Sequence, residues 1–198
     1  RASMLLPFIV PTVLSTLAWQ WMFDATFSVF NWMLMNTGLI SKRILWLGDG
    51  TLAMGCLIVV NAWRGMPFFA IPLLAGLQTI PAEILEAAEL DGARGLRFVR
   101  RIQLPLIRPH LAMAAVFRVI LLLKTFDLIY VITQGGPADA TETLNLYTYQ
   151  VGMVYFQMGY GSALAVVLLG LIMVLSLVLL QARRRAWSSC LSRAWWTR

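Results

Sequence analysis

The sequence predicts an all-α polytopic membrane protein with about four spans in view, and three observations carry that prediction. Hydrophobic residues make up 60% of the chain and charged ones 13%, with a mean hydropathy of +0.75. Four apolar stretches (4–23, 52–77, 109–132 and 161–180) reach the roughly 20 residues a helix needs to cross a hydrocarbon core. A strongly polar segment, 81–109, separates the second stretch from the third. The length alone would admit one or two soluble domains, but such a domain could hide only part of this apolar surface. The solvent must be lipid. The expected division is one transmembrane domain over 4–180 and a basic, aromatic tail over 181–198.

In the first span Pro7 and Pro11 fall in the opening turns, where a missing N–H costs least. Trp19, Trp21 and Trp32 mark its far interface. The loop that follows holds Asn31-Trp32-Met33-Leu34, read as a short helix along the interface, and the pair Lys42-Arg43. The second span is interrupted by Gly65, Pro67 and Pro72, which should free backbone carbonyls and kink it. The third runs over 109–132 and carries Arg118, Lys124 and Asp127. Lys124 and Asp127 stand three apart, a spacing that lets them meet on one helix face. Gly135-Gly136-Pro137 then makes a turn. Residues 141–158 form an amphipathic segment rich in tyrosine, and the last span is nearly pure Leu, Val and Ala until Arg183-Arg184-Arg185 stops it.

The polar segment reads as an elbow. Pro81 stands where a helix can start, since its missing N–H is an orphan donor there anyway. From Ala82 to Leu90 the residues are good helix formers, with Ile84, Ala87 and Ala88 on one side. Gly92 permits a conformation that a side chain would resist, so the chain should break and turn there. A second helical run carries Arg94, Arg97 and Arg101, and Leu104-Pro105 is expected to end it.

The formal charge of +7 invites a nucleic-acid reading, but the basic residues gather beside the spans and serve better as an orientation signal. Arg1, five arginines of the elbow (94, 97, 100, 101 and 108) and five of the tail lie on one side, against Lys42 and Arg43 on the other. Short loops rich in Lys and Arg stay cytoplasmic, so elbow and C-terminus should face the cytoplasm. Cys56 and Cys190 have no metal-ligand spacing and make an improbable disulfide. His110, the single histidine, reads as a helix-start residue. No cofactor or metal is expected. A Gly-x-x-x-x-Gly-Lys-Ser/Thr phosphate cradle is missing from the sequence, so any ATP must be handled by another chain.

Glu86-Ala87-Ala88, with Gly92 and then Phe98, Ile102, Pro105 and Pro109, resembles the cytoplasmic EAA loop of permease subunits of bacterial ABC importers. Trp19-Gln20-Trp21-Met22-Phe23, Trp46-Leu47, Leu74-Ala75-Gly76-Leu77-Gln78, Phe126-Asp127-Leu128-Ile129-Tyr130, Gly135-Gly136-Pro137 and Gly159-Tyr160-Gly161 narrow the likeness. They point to the carbohydrate-uptake class that includes maltose, trehalose and glycerol-3-phosphate systems. The resemblance runs from about residue 6 to 180. Ser28 departs from it, standing where the family often has glycine. The tail departs too, and no role is assigned to it.

The resemblance implies a type I importer permease fold in the bacterial cytoplasmic (inner) membrane, a transport subunit and not an enzyme. Its implied partners are ABC ATPase subunits, a second permease subunit, an extracytoplasmic solute-binding protein, a sugar-like solute and the lipid bilayer, with no nucleic acid. Such permeases usually have about six spans, so the chain is expected to be the C-terminal two-thirds of one. Glu86, Ala87, Ala88, Asp91, Gly92, Ala93 and Pro105 would couple to the ATPase: the alanines let a partner approach, the carboxylates offer charge-assisted hydrogen bonds, and Gly92 sets the angle. Intramembrane charge is a functional hypothesis by default, which makes Arg64, Lys124 and Asp127, with Tyr130, candidates for the translocation path. Two other readings stay open: a truncated permease remnant that does not transport, and an ion-coupled secondary carrier.

Overall fold

The computed structural model describes residues 6–195, which are all helix, turn and loop. In chain order the helices are α1 (Leu6–Ile9), α2 (Thr12–Met22), α3 (Val29–Asn36), α4 (Gly50–Gln78), α5 (Ala82–Leu90), α6 (Gly95–Phe98), α7 (Leu104–Leu123), α8 (Asp127–Ile132), α9 (Leu144–Tyr149) and α10 (Met158–Trp195). Two π-helical turns, Val99–Gln103 and Gln150–Val154, join α6 to α7 and extend α9. Among the described residues three helices are long and apolar enough to cross a membrane: Gly50–Gln78, Gly95–Leu123 and Met158–Gln181.

Two of the four expected spans are therefore broken. In the first, residues 4 and 5 lie outside the described residues, and the rest divides into α1 and α2. Pro11 lacks the N–H that would continue α1 and pushes Val10 out of helical geometry; Pro11 itself is extended, at φ −51° and ψ 137°. In the third, α7 stops at Leu123 and α8 starts at Asp127. One expected ending is absent, and the interrupted second span stays a single helix. Helix α4 runs on through Pro67 and Pro72. Leu104-Pro105 does not end the elbow's second arm, because the chain widens into the π turn just ahead of the proline, with the Leu104 N–H bonded to Val99 O. Such a turn re-spaces the ladder where one donor is missing. His110 thus lies inside a helix. The last helix continues beyond the expected span into the tail, as far as Trp195.

The described residues form two compact units, one from 6–66 with 123–171, the other from 67–122 with 172–195. The first is built on Phe23, Cys56, Leu57, Val60, Leu128, Ile129, Ile132 and Leu146, all buried, with Trp19, Phe30, Trp46, Leu47 and Phe126 packed round them. Its rings interlock: Trp19 with Phe23 at 5.7 Å, Phe23 with Phe30 at 5.2 Å and Trp19 with Trp63 at 5.5 Å between centroids. Lipid tails are as apolar as leucine, so packing and hydrogen bonds hold such a unit more than water exclusion does.

Buried Asn31 supplies three of those bonds. Its amide donates to Ile44 O at 2.9 Å, and its oxygen accepts from Ile44 N at 3.2 Å and Trp46 Nε1 at 3.0 Å. At about 1 kcal/mol each, they tie the loop 37–49 to α3. Ser28 makes its own turn: its hydroxyl caps α3 by accepting from Asn31 N at 3.1 Å and donates to Met22 O at 2.8 Å. Nearby, the amides of Phe27 and Thr26 hold the Asp24 carboxyl below the usual carboxylate range. In the second unit Ile107, Ala114 and Ala88 are buried, and α4 meets α7 closely, since a Cβ on Gly76 would lie 3.0 Å from His110 Cγ.

Candidate functional site

The elbow, in the second unit, is built by one helix ending. Gly92 sits in the left-handed region at φ +72°. Around it Ala93 N bonds Ala88 O and Gly92 N bonds Glu89 O, both at 3.0 Å. This pair of reversed bonds is the Schellman ending, which satisfies carbonyls that a helix otherwise leaves unpaired. Asp91 N still reaches Ala87 O at 3.0 Å, so the residues from Glu86 to Ala93 form one hydrogen-bonded corner. Arg94 is extended, and Gly95 takes a second positive φ, +59°, before α6. The need for this second glycine was missed in the sequence, although its place three residues after the first was a signal.

What the elbow presents is unusual for a solvated loop. Leu90 is 89% exposed and Leu96 70%, with Ile84 and Val99 also open. Glu83, Glu86 and Glu89 stand exposed on α5, and Arg97, Arg100 and Arg101 on the second arm. Ala88 is buried while Ala87 is exposed, and Pro105 is half-buried inside the helical arm. The corner therefore offers two leucines between an acidic arm and a basic one.

In the first unit, the Arg64 Nη2 donates to Thr12 Oγ1 at 2.7 Å, while its Nε is buried without a partner. The acidic group within electrostatic reach of Arg64 is Asp127. Lys124 and Asp127 do not share a helix face as expected: Lys124 lies in the turn after α7, and Asp127 is the first residue of α8. Tyr130 joins a ring cluster, stacked on Phe126 at 5.3 Å and edge-on to Tyr149 at 5.3 Å, with Phe126 and Tyr149 5.0 Å apart. Structure thus brings Arg64 and Asp127 into one neighbourhood, adds Thr12 and Tyr149, and leaves Lys124 exposed in the turn. Thr133 serves the next loop, with its hydroxyl 2.8 Å from that of buried Thr141.

A surface groove of about 420 Å³ beside α3, lined by Phe27, Trp32, Asn36 and Arg43 among others, shares no residue with that neighbourhood. Among the described residues no three His, Cys, Asp or Glu side chains are grouped to hold a metal.

Comparison with known proteins bears on the chain's family and fold. A family described as "Binding-protein-dependent transport system inner membrane component" matches residues 1–186. The chain is 38% identical over 184 residues to the "Sulfoquinovosyl glycerol transport system permease protein SmoG" of Agrobacterium fabrum, covering 93% of this chain and 59% of that protein. It is also 38% identical over 177 residues to the "Trehalose/maltose transport system permease protein MalF" of Thermococcus litoralis, covering 89% and 58%. The chain so spans less than two thirds of these relatives' length. The crystal structure of a bacterial alginate ABC transporter, in complex with an alginate pentasaccharide-bound periplasmic protein, superposes with a TM-score of 0.83. It covers 93% of this chain and 65% of that one, and its 24% identity makes it a likeness of fold.

Proposed function

The chain belongs to the family of binding-protein-dependent transport system inner membrane components, and from that we propose that it is a permease subunit of an ATP-driven importer for a sugar or sugar-like solute. Its relatives named above are permease proteins of sugar-type transport systems. On this reading a separate ATPase hydrolyses ATP, a second permease subunit completes the path, and an extracytoplasmic binding protein delivers the solute. The elbow faces the cytoplasm and docks on the ATPase.

The observation that carries the coupling role is the elbow itself, a corner held by a Schellman ending that leaves Leu90 and Leu96 open between acidic and basic arms. An exposed apolar pair on a preformed corner fits a partner surface better than water. A rigid-body movement of docked elbows can reorient the spans, as alternating access requires. The solute path is assigned to the neighbourhood of Arg64, Asp127 and Tyr130, where a hydrogen-bonding ion and aromatic faces suit a sugar ring. The Lys124–Asp127 pair on which an ion-coupled carrier would have rested does not share a helix.

The test uses the full-length subunit with its partner subunits. Left-handed φ costs a bulky residue about 1–3 kcal/mol, and around Gly92 an added Cβ meets nothing within 4 Å. Gly92→Val should therefore insert normally yet lose ATP-dependent uptake and co-purification with the ATPase, while Gly92→Asn, which tolerates this conformation, should keep both. Wild-type uptake by Gly92→Val would sink the docking role. Uptake that survives without ATP hydrolysis and stops with a protonophore would sink the importer reading.

A further inference from the structure

We infer that Asn145 is a positioning residue that fixes the break between α7 and α8 and, through it, the bearing of Asp127, Phe126 and Tyr130; its relevance to transport rests on the solute path proposed above. The Asn145 Nδ2 lies 2.6 Å from Leu123 O and 3.4 Å from Thr125 O. Both partners are carbonyl oxygens, so the amide must present its nitrogen to them. Two hydrogens on that nitrogen serve both.

These carbonyls need a donor. The last carbonyls of any helix have no partner further along it, and α7 ends with no proline or glycine to explain the stop. A side chain 22 residues away from Leu123 takes the place of the next turn. Residues four apart share a helix face, and the residue one turn on from Asn145 is Tyr149, whose ring meets Phe126 at 5.0 Å and Tyr130 at 5.3 Å. One face of α9 thus grips the break twice, by its carbonyls and by its rings. Leu146 between them is fully buried in the core with Leu128, Ile129 and Ile132, which holds α9 in place. Any displacement of α9 would carry the start of α8, and Asp127 with it.

The experiment is hydrogen–deuterium exchange of backbone amides in the full-length subunit, assembled with its partners in nanodiscs and read against wild type at the same pH. Asn145→Ala should speed exchange over 124–128 about tenfold, the loss of roughly one good hydrogen bond, with α4 unchanged. Asn145→Asp keeps the size and shape of the side chain but places an acceptor-only carboxylate against two carbonyls at neutral pH. It should exchange as fast as the alanine variant, as a merely space-filling role would not. Unchanged exchange in the alanine variant, or exchange raised equally in α4, would overturn the inference. So would an aspartate variant that exchanges like wild type. ATP turnover of the same complex, stimulated by its binding protein, should fall in both variants in parallel with the rise in exchange; turnover that stays at wild type while exchange changes would overturn the link to transport. The exchange measurement requires no transport, so failure of the wild-type complex to import would count against the permease reading alone.

Discussion

A Cβ built on Gly161 would stand 2.8 Å from Gly152 Cα and 3.1 Å from Gly152 N, and backbone cannot swing aside as a flexible side chain can. The start of α10 and the π turn after α9 approach each other through these two glycines. Gly161→Ala should cost about 1–3 kcal/mol, the usual range for overpacking, and lower the thermal unfolding midpoint of the detergent-purified subunit. Gly159, two residues away, has nothing within 4 Å of its own virtual Cβ. Gly159→Ala is therefore the matched control, and equal midpoints for the two variants would refute the close approach. Gly92 and Gly161 show two different uses of glycine: the first is required by its dihedral angle, the second by space. Only the first was readable from a single sequence, because a helix former run that ends at glycine has a local meaning. The partner of Gly161 lies in another element.

At the scale of elements, the broken third span changes what its charges can do. Lys124 hangs in the turn after α7, while Asp127 opens α8 within reach of Arg64. A carboxylate in the first turn also suits the helix dipole. Asp127→Asn should therefore depress uptake well beyond Lys124→Met, by about tenfold or more against less than twofold, with equal membrane levels of both. Uptake assays in cells carrying the complete system measure this; equal losses would restore the pairing of Lys124 with Asp127. Hydropathy made the helices themselves legible, along with the elbow and its turn. Interruptions were harder. Pro67 and Pro72 read as interruptions that kink the second span, and helix α4 passes both without ending, since neighbours can re-satisfy the freed groups. The break at 124–126 carries no such residue; it is held by Asn145, 22 residues from Leu123. Likewise Thr12 meets Arg64 across 52 residues. Periodicity reports a residue's own element and is blind to such partners.

For the whole molecule, orientation is the testable quantity. Eleven basic residues are assigned to the side of elbow and tail, against two in the loop before α4. The positive-inside rule supports the proposed cytoplasmic elbow. Single cysteines at Ala93, in the elbow's corner, and Ala138, in the turn after α8, should label from opposite sides in a background lacking Cys56 and Cys190. Labelling of both by an impermeant maleimide from outside would reverse the assignment. The large unpartnered apolar surface, with Val166, Leu169, Met173 and Leu177 of α10 all more than half exposed, is what a lipid-facing helix looks like.

The π turn at Val99–Gln103 has a consequence for phase. An ordinary helix turns about 100° per residue, so Arg97 and Arg108, 11 residues apart, would sit nearly in line along an unbroken rod. One extra residue absorbed in a single wide turn rotates everything beyond it by about 100°. The elbow's facing is thereby geared to that of α7, and the chain can aim its corner at one bearing and its long helix at another. Deleting Arg100 should take out that offset: helix content by circular dichroism stays the same, both arms remain, and the corner with Leu90 and Leu96 swings a quarter turn away from whatever it meets. The shaft would still turn, with its key cut to the wrong angle.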